Sequence, residues 1–249
     1  MATAPPGWAT ALALGDRRAR PDGAWLEAIT GVPAGRWLPF FRELDAAIGP
    51  EEEIGRRLRA EGRRGFAQFR APVELYALVR WLRPDHAVET GVSSGVSSAH
   101  ILRGLARNRR GTLHSIDRPT FVRGTRWTPR DSPVALPPGR SPGWAIPAPL
   151  RRRWDLRIGP SAAVLPALVR SLPSIGLFLH DDEHTPTNLS RELRTIRPLL
   201  RPGAIVLADN TRWTGTAFPR FARAIGATVH RRRGSDLVGL RVPGPGSGG

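Results

Sequence analysis

Apolar and polar positions change rhythm along this chain, and the changes mark out its elements. Short apolar runs bounded by turn residues predict strands at 87–90, 112–116, 155–158, 175–179, 204–208, 227–231 and 237–242. Between them, stripes at helical spacing predict helices at 96–107, 161–170, 186–199 and 216–225. The third of these has Thr185 as its N-cap, Pro186 at its first position, and Leu189, Leu193, Ile196 and Leu200 as its stripe. Another helix opens at Pro72, carries Val73, Leu75, Tyr76, Val79 and Leu82, and is stopped by Pro84. Alternation of this kind predicts an α/β fold with a doubly wound, mostly parallel sheet of seven strands. Only residues 232–236 join the last two strands, enough for a hairpin but not for a crossover, so the C-terminal end should carry an antiparallel strand.

Residues 1–70 read as a helical lead-in or cap, with Leu38, Phe41, Leu44 and Ile48 at helical spacing and a mixed-charge stretch at 51–64. Residues 71–242 form the α/β domain. Within it, 118–154 is a long insertion rich in proline, arginine and tryptophan (Trp127, Trp144, Trp154), which reads as a lid that packs down. The glycine, proline and serine of 243–249 predict a disordered tail.

The first strand ends at Glu89 and runs into a loop spaced Gly91-x-x-x-Gly95, while the second strand ends at Asp117. This is how an α/β sheet holds an adenosine-containing cofactor across its strand tips, with an acid placed to bridge ribose hydroxyls. A dinucleotide loop would carry Gly-x-Gly-x-x-Gly against a pyrophosphate. Here the middle glycine is missing and an acid stands at the threshold, which favours a cationic cofactor, S-adenosylmethionine (SAM). A nicotinamide-dependent oxidoreductase is disfavoured on the same ground.

Composition changes the picture at three points. There is no cysteine, which excludes disulfides, thiolate zinc sites and a cysteine nucleophile. No apolar run approaches the length of a membrane span and no secretory signal is evident, so a cytoplasmic protein is expected. The formal net charge is +17, and all 38 basic residues are arginine. Thirteen arginines against three acids lie between Arg103 and Arg157. That excess suits either a nucleic-acid surface or the mouth of a site for an anionic small molecule. The aromatic platforms of an RNA module are missing, which disfavours nucleic acid. Arginine enrichment also tracks base composition, and a homo-oligomer is left open.

From 69 to 242 the chain resembles the class I SAM-dependent methyltransferases. The resemblance rests on Leu75-Tyr76-Ala77-Leu78-Val79-Arg80, Val88-Glu89-Thr90-Gly91-Val92-Ser93-Ser94-Gly95-Val96-Ser97-Ser98, Ser115-Ile116-Asp117, Arg157-Ile158-Gly159-Pro160-Ser161, Leu177-Phe178-Leu179-His180-Asp181-Asp182-Glu183-His184-Thr185, and Leu207-Ala208-Asp209-Asn210. It implies the Rossmann-like methyltransferase fold. It further implies that Glu89 and Gly91 face the methionine end of the cofactor, that Thr90 binds cofactor too, and that Ser93, Gly95 and Ser97 line the loop. Asp117 would hold the ribose, Arg118 and Ser161 would lie beside the adenine, and Asp181 and Asp182 would also bind cofactor. For Asp117 and Asp182 an ordinary acid in a turn is the competing reading.

In the cation-dependent O-methyltransferases of this superfamily two acids and an asparagine hold a divalent ion, and Asp181, Asp209 and Asn210 fall on those positions. They are hard oxygen donors suited to Mg²⁺; capping of strand ends is the alternative. The lysine usual in those enzymes is missing, and His184 occupies its neighbourhood. His184, with Asp181, reads either as the base that accepts a hydroxyl proton or as a hydrogen-bonding residue at the helix entry. The expected activity is SAM-dependent O-methylation of a small acceptor, anionic if the arginine excess is functional, entering between the 118–154 segment and the N-terminal helices. A non-catalytic SAM-fold or RNA-associated protein is the alternative.

Overall fold

In the computed structural model the described residues are 21–46, 48–61, 69–121 and 136–244. Trp127, residues 122–135 of the expected lid and most of the C-terminal tail lie outside them. Among the described residues four α-helices come first: α1 (Gly23–Thr30), α2 (Leu38–Asp45), α3 (Ile48–Ala60) and α4 (Pro72–Leu82). The alternating part follows as β1 (His86–Thr90), α5 (Val96–Asn108), β2 (Thr112–Asp117), β3 (Trp154–Ile158), α6 (Ser161–Ser171), β4 (Ile175–His180), α7 (Pro186–Ile196), β5 (Leu200–Ala208), α8 (Ala217–Ala224), β6 (His230–Arg231) and β7 (Val238–Arg241). The sheet has seven strands in the order β3-β2-β1-β4-β5-β7-β6. Strands β1 to β5 pair in parallel, β7 runs antiparallel to β5, and β6 pairs antiparallel with β7 as a hairpin. This is the doubly wound sheet expected from the sequence.

The uninterrupted apolar runs of the central strands follow from burial on both faces, because successive side chains point to opposite sides. Ala87, Leu177, Leu179, Ile205 and Leu207 enter one core with α1, α4 and α5. Val88, Phe178, Val206 and Ala208 enter the other with α6, α7 and α8. The lead-in shares the first core: Trp25, Ile29, Trp37, Ile54 and Leu58 are all buried in it. Gly239 in β7 makes room for α1, since a Cβ there would lie 2.6 Å from Ile29 Cδ1. Trp25 also donates its indole N–H to the carbonyl of His230.

The segment expected to act as a lid braces the cofactor loop from behind in its described part. The amides of Gly143 and Ala145 donate to the carbonyls of Ser93 and Ser94, and Trp144, Ala145 and Ile146 are buried. Gly95 adopts φ +92, and a Cβ on it would meet Ile146 at 2.6 Å, so only glycine fits between loop and brace. Trp154 closes the segment by donating to Ser115 Oγ at 2.9 Å.

Candidate active site

The carboxyl ends of β1, β2 and β4 open onto a cleft of about 460 Å³. At the switch point in strand order β1 and β4 are neighbours whose connections lead to opposite faces, and this is where such sheets leave a crevice. Gly91 makes the corner. Its φ is +86, and an added Cβ would stand 2.0 Å from the Asp181 carbonyl oxygen, so the two strand tips can approach only through a glycine. A side chain at Gly91, such as that of a Gly91→Val variant, would push apart the ends of β1 and β4 as well as enter the cleft. Ser93 follows with φ 47, a left-handed conformation that a serine adopts at some cost.

Of the residues read as cofactor contacts, Gly91, Ser93, Asp117, Arg118, Ser161, Asp181 and Asp182 line this cleft, with His184 at its lip. Glu89, Thr90, Gly95 and Ser97 do not line it; each is buried behind the loop. Glu89 has no exposed surface and accepts hydrogen bonds from Ser97, Ser98 (2.6 Å) and Ser115 (2.8 Å). Burial pushes its pKa up to about 7, against the pull of the serine hydroxyls. Asp117 Oδ2 accepts from the amides of Val92 (3.0 Å) and Ser93 (2.7 Å), so this acid shapes the cofactor loop as well as facing the cleft. Burial raises its pKa and that of Asp182.

Beneath the cleft lies a network that sequence reasoning missed. Glu192, 1% exposed, accepts from Thr90 Oγ1 at 2.8 Å and Asn188 Nδ2 at 3.1 Å, and contacts His180 Nδ1 at 2.7 Å. Burial opposes its ionisation, but the hydrogen bond from His180 leaves its pKa lowered. It joins β1, β4 and α7, and Asn188 and Arg191 carry α7 to the cleft wall. The signal was an acid on the buried face of the α7 stripe, between Leu189 and Leu193. A buried charge there needs partners, and partners at a strand tip mean a site.

At the other lip, Asp181, His184, Asp209 and Asn210 converge. His184 Nε2 is 3.4 Å from Asp181 Oδ1 and 3.2 Å from Asn210 Nδ2. Burial alone would lower the imidazole, but the Asp181 contact and the charges of Asp181, Asp209 and Asp182 raise it. Asp209 is 5% exposed; burial, then Asp181, push its pKa up to about 6. Asn210 has φ 52, a left-handed turn that asparagine tolerates, and it aims the amide back towards His184. The oxygen set expected to hold a divalent ion, Asp181, Asp209 and Asn210, comes together at this lip. Its oxygen donors are of the right kind, but His184 contacts both Asp181 and Asn210. Among the described residues, no group of three or more histidine, aspartate or glutamate side chains is arranged to hold a metal ion.

The cleft fits SAM by size and charge. Asp117, Asp181, Asp182 and Glu183 outnumber Arg118 and Arg191 on its walls, which suits a ligand carrying a sulfonium and an ammonium. Comparison with known proteins agrees. The methyltransferase-domain family matches residues 88–211, the stretch that holds β1 to β5 and both lips of the cleft. No curated protein matches the sequence. Among solved structures, an O-methyltransferase from Bacillus cereus in complex with S-adenosylhomocysteine (SAH) is 17% identical, with a TM-score of 0.55 over 76% of this chain and 90% of that one. The O-methyltransferase NovP is 16% identical, with a TM-score of 0.55 over 76% and 88%. CalS11, a calicheamicin methyltransferase, is 20% identical, with a TM-score of 0.51 over 68% and 77%. At these identities the structural likeness is one of fold. The chain thus carries a methyltransferase domain at residues 88–211, on the fold of the class I SAM-dependent methyltransferases. No described helix is long and apolar enough to cross a membrane.

Proposed function

We propose that the protein transfers the methyl group of SAM to a hydroxyl oxygen of a small-molecule acceptor, with His184 taking the hydroxyl proton. The observation that carries this reading is the placement of His184 at the lip of the cleft, held by Asp181 and Asn210. When bound, SAM supplies a methyl group on a positively charged sulfur; the acceptor oxygen bonds to it as the carbon–sulfur bond breaks with its electron pair left on sulfur. The chain contributes alignment and proton removal. Asp181 orients the imidazole and stabilises the imidazolium formed as the proton arrives, while Asn210 contacts the same ring nitrogen, Nε2. Gly91 and the Asp117-capped loop set the position of the methyl donor. The O-methyltransferase descriptions of two of the structural neighbours support oxygen as the atom attacked.

The test is a His184→Ala variant assayed with radiolabelled SAM against a panel of hydroxyl-bearing acceptors. Methyl transfer should fall about 100-fold to 10,000-fold while SAH affinity changes little. Transfer by the wild type should also survive EDTA. Full activity in the variant, or activity abolished by EDTA and restored by Mg²⁺, would show that a cation and not the histidine handles the acceptor oxygen.

A further inference from the structure

A second cavity, of about 450 Å³, opens between the tip of β5 and the β6–β7 hairpin. Asp209 and Asn210 form part of its wall, so it meets the cofactor cleft at the residue that holds His184. The two spaces have opposite charge. Acids dominate the cofactor cleft, whereas Arg70, Arg212, Arg231, Arg232 and Arg233 line the second cavity. A molecule spanning both would be offered a cation-binding end and an anion-binding end.

The hairpin is constructed to hold this charge in place. In the run Arg231-Arg232-Arg233 the middle guanidinium turns inward, is 3% exposed, and donates from Nε to Glu74 Oε1 at 2.7 Å. Residues on either side of it then face outward. Arg233 is further tied by its amide, which donates to Asp22 Oδ2 at 3.3 Å. Glu74 belongs to the first turn of α4, the helix that Arg70 precedes, so one helix entry supplies both the anchor and another wall. Asp236 lies 3.1 Å from Arg212 Nε and 3.6 Å from Arg231 Nη1, and serves both. Asp209 and Asp236 share this wall with the five arginines, and Glu74 and the Asp22 carboxylate stand behind it, so positive charge remains in excess beside the methyl-transfer edge.

We propose that this cavity binds the phosphate of a phosphorylated small-molecule acceptor and so presents the acceptor's hydroxyl to His184. The proposal rests on the methyltransferase reading and adds to it a substrate class. The excess positive charge suits a phosphate dianion, and rigid guanidinium forks approaching from several directions match a tetrahedral oxyanion. The volume leaves room for the carbon skeleton that links phosphate to hydroxyl. The site lies on the β5–β7 side, away from the arginine-rich 103–157 stretch that drew attention in the sequence.

The probe is inorganic phosphate, titrated calorimetrically into the SAH-saturated protein at 150 mM salt, with acetate as the carboxylate comparator. Three proteins are compared: wild type, the double variant R231Q/R233Q, and R194Q/R223Q, which removes equal charge from the exposed faces of α7 and α8. Phosphate should bind wild type and R194Q/R223Q alike and acetate markedly less well. R231Q/R233Q should lose phosphate affinity by at least about tenfold while its SAH affinity holds. Equal phosphate affinity in all three proteins, equal loss in both double variants, or no phosphate binding by a wild type that binds SAH would each overturn the proposal. Acetate binding as tight as phosphate would replace phosphate by carboxylate. A wild type that takes phosphate in this cavity but never SAH would sink the enzyme reading and keep the anion site.

Discussion

Glu89 and Gly91 stand two residues apart at the tip of β1, and each makes a different demand on what can replace it. The Glu89 carboxyl folds with a pKa of about 7 against an ordinary 4.5, chiefly because it is buried. A carboxyl raised in this way suits the folded state best when protonated. Its contribution to stability is complete below pH 4.5, falls as the pH climbs towards 7, and is level above that. Ionisation of Glu89 at pH 8 thus costs the SAM-free protein roughly 3 kcal/mol. Glu89→Gln should raise the unfolding midpoint at pH 8 and leave it nearly unchanged at pH 4.5; an equal shift at both pH values would contradict the burial argument. Gly91→Ala places a methyl group against the Asp181 carbonyl at a left-handed φ. It should cost about 2 kcal/mol or more of stability and weaken SAH binding together with it. A variant of wild-type stability that only lost SAH would show that the strand tips have more freedom than this geometry gives them.

At the scale of elements, the hairpin and α4 depend on one another through a buried ion pair. Glu74 is 1% exposed; burial raises its pKa against the pull of Arg232 and of the Asp22 amide. Glu74→Leu leaves a guanidinium buried without its carboxylate and should cost about 3–5 kcal/mol, whereas E74L/R232M should recover most of that loss. Chemical denaturation of the two variants measures this, and equal destabilisation in both would mean the pair is not the joint. How much of this was legible in the sequence differs by element. The central strands and α5 to α8 were plain because their apolar rhythm is strong and Thr185 and Pro186 cap α7 as read. α1 was not singled out, although Asp22 caps it through the Trp25 amide and Gly31 ends it in a left-handed turn. Its partner surface, Gly239 of β7, offers no side chain for a pattern to reveal. β5 begins four residues earlier than expected, since Pro202 and Gly203 look like a turn, and β4 meets it with a shift in register. At the site, the loop and the strand-end acids could be read from spacing. The Glu192 network and the inward turn of Arg232 could not, because they depend on which elements the fold brings together.

For the whole molecule, the division of charge is the main result. The formal +17 is not spread evenly over the strand tips: an acid-lined cleft and an arginine-lined cavity lie side by side, with His184 and Asn210 between them. A cationic methyl donor and an anionic acceptor would each be drawn to its own compartment, and their reacting ends would meet at the histidine. This order depends on the first compartment holding SAM or its product. The direct test is calorimetric titration of the purified protein with SAH. The account predicts one site per chain with a dissociation constant on the order of micromolar, or about −8 kcal/mol. Folded protein that gives no heat and no thermal shift with SAH would contradict it.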